Sequence, residues 1–152
     1  MKKTMHVFLV ILLAFVVKSQ SISAKEMTSL PLLGVGATVQ EAQKGEFLIK
    51  TEGLKAGEGF VSTPKDLETK NILFQMEAKG SDVVILKIEE TDARGKFLKE
   101  KELEVPLTSN WSLKQLDFIL ESDSSQIDVF VLTSEKKKTE FSVRNVTVTG
   151  QE

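Results

Sequence analysis

From Gly36 onward the chain is a succession of short runs in which apolar and polar residues alternate, separated by clusters of Gly, Asn, Asp, Ser and Lys. The clearest run is NILFQMEA, residues 71–78, where Ile72, Phe74, Met76 and Ala78 fall on one side and Leu73, Gln75 and Glu77 on the other. Period-2 alternation of this kind marks a strand with one buried face. DVVILKIEE follows, with Val84, Leu86 and Ile88 opposed to Ile85, Lys87 and Glu89. Asp92-Ala93-Arg94-Gly95 then supplies a hairpin turn whose glycine accepts a positive φ.

Comparable runs are ATVQEA, EFLIKT, GFVS, KFLKEKELEV, QIDVFVLT and FSVRNVTVT. Residues 113–120 are ambiguous, because Leu113, Leu116, Asp117 and Leu120 suit one side of a helix while Leu116, Phe118 and Leu120 suit a strand. The strand-like neighbours favour a strand. In the last run the apolar parity switches from Phe141 and Val143 to Val146 and Val148, which predicts either a bulge near Arg144-Asn145 or burial on both faces. About eight or nine strands at roughly ten-residue intervals, with no long helical period, predict an all-β antiparallel jelly-roll sandwich.

The amino terminus has a different character. Lys2 and Lys3 precede an uninterrupted apolar run from Val7 to Val17, and Ser21, Ser23 and Ala24 supply small residues for cleavage, so residues 1–24 are expected to be an export signal. The apolar run is well short of the roughly 20 residues that cross a bilayer, which favours cleavage over a retained span. Residues 25–35 form an amino-terminal segment in which SLPLLGVG is a first strand, a tether or an exposed patch, and residues 36–152 form the sandwich domain. A secreted protein with no membrane span is the expectation.

Removing the signal takes away Lys2, Lys3 and Lys18 but no acid, so the formal charge of −2 becomes −5. That balance leaves no basic footprint for nucleic acid. The chain has no cysteine, so an exported domain must fold through its core alone, which suits a bacterial source. Beyond the signal there is also no histidine and no tyrosine, and this inventory removes Ser-His and Cys-His nucleophile pairs and the usual zinc sites. A carboxylate pair or a Ser-Lys arrangement remains open to a small hydrolase or lyase. The acidic groups Glu89-Glu90, Glu100-Glu102-Glu104 and Glu121-Asp123 look instead like solvated faces and loops, so no enzyme, cofactor or metal is expected.

The order NILFQMEAKGSDVVILKIEETDARGKF, then VPLTSNWSLKQLDFIL, then QIDVFVLT and FSVRNVTVT resembles the jelly-roll carbohydrate-binding modules attached to bacterial xylanases and cellulases, within the galactose-binding-like sandwich group. The likeness spans about residues 52–149 and implies a sandwich that binds a polysaccharide. Two departures stand out. The family's last strand commonly holds an aspartate for a structural calcium where this chain has Arg144, and a guanidinium offers no lone pair to a metal. The family's Asn-Gly-Phe-Glu opening is also missing, with Leu33-Gly34-Val35-Gly36 the nearest approach.

A sugar presents apolar ring faces rimmed by hydroxyls, so a site needs an aromatic surface beside amide, carboxylate and cationic groups. With Ile72, Phe74, Met76, Val84, Leu86, Ile88, Leu116, Phe118 and Leu120 inward, the opposite faces present Gln75, Glu77, Lys87, Glu89, Gln115, Asp117 and Asp128. Gln75, Glu77, Lys87 and Asp117 are the polar site candidates. Trp111, the only tryptophan, joins them, although the resemblance places it at a strand entrance as a packing residue. Phe47, Phe74, Phe118, Phe130 and Phe141 are expected in the core, while Phe60 and Phe97 lie near turns. Lys136 to Lys138 are either an anion-attracting patch or a solvated hairpin tip, and KEKELE is either a docking edge or a protected one. The expected ligand is a cell-wall or extracellular polysaccharide, and the competing expectation is a structural or protein-interaction module of the cell surface or matrix.

Overall fold

The computed structural model describes residues 30–152, and the signal expected at residues 1–24 lies outside the described residues. The described residues form ten strands and no helix: β1 (Leu33–Val35), β2 (Ala37–Gln43), β3 (Glu46–Thr51), β4 (Gly59–Ser62), β5 (Asn71–Lys79), β6 (Val83–Thr91), β7 (Phe97–Pro106), β8 (Ser112–Ile119), β9 (Gln126–Thr133) and β10 (Glu140–Gln151). They pair into two five-stranded sheets, ordered β1-β4-β9-β6-β7 and β2-β3-β10-β5-β8. Every pairing is antiparallel. The architecture is an antiparallel β-sandwich, and the ambiguous run at 113–120 is a strand.

The core lies between the sheets, and alternation puts it there. Ile72, Phe74, Met76 and Ala78 of β5 are buried, as are Val84, Leu86 and Ile88 of β6 and Ile127, Val129 and Val131 of β9. Full burial of a large apolar side chain contributes about 1.5–3 kcal/mol. Two aromatic expectations are corrected or resolved. Phe130 faces outward from the first sheet, because Ile127, Val129 and Val131 occupy the inward positions of β9, and it lies half-buried with Lys87 Nζ 5.7 Å from its ring centroid. Phe60 is fully buried, whereas Phe97 is 52% exposed.

The tenth strand comes from SLPLLGVG. β1 pairs with β4 on the first sheet, and Gly36, with φ of 56°, turns the chain directly into β2 on the second. Only a residue tolerant of the left-handed region makes so abrupt a crossing. Glu58 braces this corner from beneath. Its buried carboxylate accepts the backbone N–H of Gly53 at 2.6 Å through Oε2 and those of Leu54 and Lys55 at 2.8 and 3.0 Å through Oε1.

The opposite side of the sandwich is closed differently. β7 and β8 are edge strands of different sheets, and the inward side of β7 carries Lys99 and Lys101. Lys99 Nζ reaches Glu121 Oε1 at 2.9 Å, with the buried Glu90 carboxylate at 3.9 Å. Lys101 Nζ wraps the edge of β8, donating to the Asp117 backbone carbonyl and to its Oδ2, each at 2.9 Å. Side-chain cations thus cap one strand edge where a further strand would otherwise add.

Candidate functional site

The outer face of the second sheet gathers the most varied chemistry on the molecule. β5 runs between β10 and β8, so its outward residues each have two cross-strand neighbours: Leu73 has Thr149 and Asp117, Gln75 has Thr147 and Gln115, and Glu77 has Arg144 and Leu113. Outward positions lie about 7 Å apart along each strand, so the face from Leu73 to Lys79 extends about 20 Å.

The expected irregularity in β10 organises the centre of this face. Arg144 pairs with Glu77 and Thr147 with Gln75, so three steps on β10 match two on β5, and Asn145 takes φ of 52°. This bulge lets the adjacent residues Arg144 and Asn145 address the same outward carboxylate. Arg144 Nε donates to Glu77 Oε2 at 2.9 Å and its Nη2 to Oε1 at 3.2 Å, while Asn145 Nδ2 donates to Oε2 at 2.6 Å. The Arg144 bonds first, and the Asn145 bond after them, hold the Glu77 carboxyl below the usual carboxylate range despite partial burial. Glu77 therefore remains an acceptor through mildly acidic conditions.

Trp111 stands at the head of β8, half-buried. The Arg144 guanidinium carbon lies 4.3 Å from its ring centroid and Lys79 Nζ lies 4.6 Å from it. Both are cation–π distances. The arrangement joins the indole through Arg144 to Glu77 and Asn145. The next row down is an amide pair, with Gln75 Nε2 donating to Gln115 Oε1 at 3.2 Å. An aromatic ring, a fixed carboxylate, a guanidinium and three amides thus share one open face.

The sequence-based candidates divide between two faces. Gln75, Glu77, Trp111 and Asp117 are all on or beside the second sheet, with Asp117 at its β8 edge in the Lys101 ion pair, which holds its carboxyl below the usual range. Lys87 is on the opposite side of the molecule, facing outward from the first sheet together with Glu89 and Asp128. There it contacts Glu100 at 2.6 Å, Glu89 at 3.4 Å and Glu102 at 3.8 Å, and the Glu100 bond foremost raises its pKa. Strand alternation distinguishes inside from outside but does not say which sheet a strand joins, so the grouping of Lys87 with Gln75 does not hold in space. Arg144, Asn145 and Lys79 complete the cluster and were not among the candidates. The parity break at Arg144-Asn145 was the signal that two consecutive residues can share an outward face.

Among the described residues no group of three or more His, Cys, Asp or Glu side chains is arranged to hold a metal ion. No family model matches the sequence, and no curated protein matches it. Solved structures do match in fold. A family 29 carbohydrate-binding module from Piromyces equi superposes with a TM-score of 0.61 at 9% identity, over 80% of this chain and 80% of that one. The family 11 carbohydrate-binding module of a cellulosomal cellulase of Clostridium thermocellum gives 0.58 at 11% identity, over 84% and 91%. The fold is a carbohydrate-binding-module-like jelly roll. The same jelly roll also matches part of a larger chain, the enzymatically active domain of tailspike protein 4 of bacteriophage CBA120, with a TM-score of 0.58 at 12% identity over 81% of this chain. This chain spans 18% of that one.

Proposed function

We propose that this jelly roll is an exported, non-catalytic module that binds a cell-wall or extracellular polysaccharide through the outer face of its second sheet. The observation that carries the reading is the continuous cluster of Trp111, Arg144, Glu77 and Asn145 beside the Gln75–Gln115 pair. Pyranose rings have apolar faces that rest on an indole, and their hydroxyls bond to planar amide, carboxylate and guanidinium groups. Because those groups already hold one another in place, little side-chain entropy is lost when a glycan docks. The fold is shared with carbohydrate-binding modules, and this supports the reading by analogy. Absence of histidine, cysteine and tyrosine beyond the signal supports a binding role over a catalytic one.

An array of soluble glycans and purified wall polymers, followed by affinity electrophoresis, tests this. Trp111→Ala is expected to weaken retention by at least about tenfold, equivalent to about 1.4 kcal/mol. Because Trp111 is half-buried, the double variant Gln75→Ala/Gln115→Ala, at a half-buried and an exposed position of the outer face, provides a second measurement expected to act in the same direction. Lys87→Ala, on the other sheet, is expected to bind as the parent does. A protein that retains no polymer on the array, or loses binding only on Lys87→Ala, overturns the assignment.

A further inference from the structure

The first sheet ends in an open edge whose charges specify what can add to it. β7 is ten residues long and, among the described residues, pairs with β6 alone. Its outward side carries Glu100, Glu102 and Glu104 at alternate positions, opposite Glu89, Lys87 and Ile85 of β6. Lys87 is the only cation in those rows, against four glutamates. Three of the eight large apolar side chains exposed among the described residues, Phe97, Leu98 and Leu103, also lie on β7.

The two edges on this side are not equivalent. That of β8 is capped at Asp117 by Lys101, whereas β7 receives no comparable cap among the described residues. An unpaired strand with exposed apolar residues is a template for strand addition. A second copy of this chain is a poor occupant. Antiparallel pairing of β7 with itself over most of its length sets glutamate against glutamate, as Glu102 opposite Glu102 with Glu100 opposite Glu104, and like charges directly opposite are destabilising. The same three carboxylates favour a strand with lysine or arginine at alternate positions, whose side chains would stand about 5 Å from them.

We infer that the β7 edge accepts an extended basic polypeptide segment, added as an antiparallel strand with its cations over Glu100, Glu102 and Glu104. This surface lies on the other sheet from the proposed glycan face, so the two roles are independent and can be exercised together.

The test uses three synthetic peptides of about ten residues: alternating lysine and threonine, the same composition with the lysines grouped at one end, and alternating glutamate and threonine. Fluorescence anisotropy is expected to show the alternating basic peptide binding at least about tenfold tighter than the grouped one, with the acidic peptide silent. Affinity should fall as salt rises, because the carboxylates are exposed. In hydrogen exchange the amides of β7 should gain protection on binding, which general charge attraction does not cause. Glu102→Lys should abolish binding while Lys44→Ala, at the exposed turn between β2 and β3, leaves it intact. Equal affinity for grouped and alternating peptides, no binding to either, or binding without new protection in β7 overturns the inference. The exchange measurement on the parent protein decides the matter even if Glu102→Lys fails to fold.

Discussion

Glu58→Gln is expected to lower the melting temperature at neutral pH by on the order of 10 °C, although the two side chains have the same shape. Both carboxylate oxygens are in use, one bonded to the Gly53 N–H and the other to those of Leu54 and Lys55. A carboxamide offers one acceptor oxygen and must turn its NH2 toward a backbone donor, leaving a buried N–H unsatisfied. The damage spreads because Glu58 also supports the crossing from β1 to β2: a Cβ at Gly36 would lie 2.8 Å from Glu58 Cγ.

The pH dependence of this effect follows from the direction of the shift. Burial is the largest influence on Glu58 and pushes its carboxyl up, but the three N–H donors together, with the charge of Lys55, outweigh it and hold the group below its ordinary value of 4.5. A carboxyl depressed in the folded state contributes stability that is fully present above the unfolded value and is lost as pH falls through the folded one. The parent should therefore hold a plateau above about pH 5 and lose stability below 4.5. Glu58→Gln should begin lower and lose less, so that thermal melts of the two converge toward acid. Asp82 adds to the acid loss in the parent, since bonds from Lys137 and then Thr139 hold its carboxyl below the ordinary 3.8. Parallel curves with an undiminished gap at low pH would contradict the role given to the Glu58 charge.

Gly59→Ala should be the more disruptive change, costing about 3 kcal/mol, the upper end of the usual range for forcing atoms into a packed site. Gly59 sits in β4 between Val35 and Leu132, and a Cβ there would lie 2.0 Å from the Val131 carbonyl oxygen. That oxygen belongs to the backbone of the paired strand and cannot move aside without opening the β4–β9 ladder. Gly57→Ala, only two positions earlier, has nothing within 4 Å of the added carbon and meets only the cost of its φ of 78°. Chemical denaturation of the pair separates the two effects. A Gly59 variant no less stable than the Gly57 variant would refute the steric account.

Much of the candidate site was legible before folding, and the misses have a common cause. Gln75 and Glu77 are outward because Phe74 and Met76 are inward, and hydrophobic alternation alone dictates that. The bulge in β10 was visible as a parity break, but its product was not: Arg144 and Asn145 converge on Glu77 only because β10 lies beside β5 in the second sheet. Trp111 gave a lone aromatic at the head of a strand. Its contacts with Lys79 and Arg144 depend on neighbours 32 and 33 residues away.

What the sequence determined by itself is the class of fold, the position of nearly every strand, and the inside or outside assignment of most side chains. These follow from local chemistry: a period of two, turn residues between the runs, and the cost of burying polar groups or exposing apolar ones. Only the tertiary structure decided which strands share a sheet. β5 and β6 are joined by the short turn at Gly80–Asp82, yet they enter different sheets, so Gln75 and Lys87 end on opposite sides of the molecule. Strand pairing depends on partners far along the chain, and a side chain's own alternation is the same in either sheet.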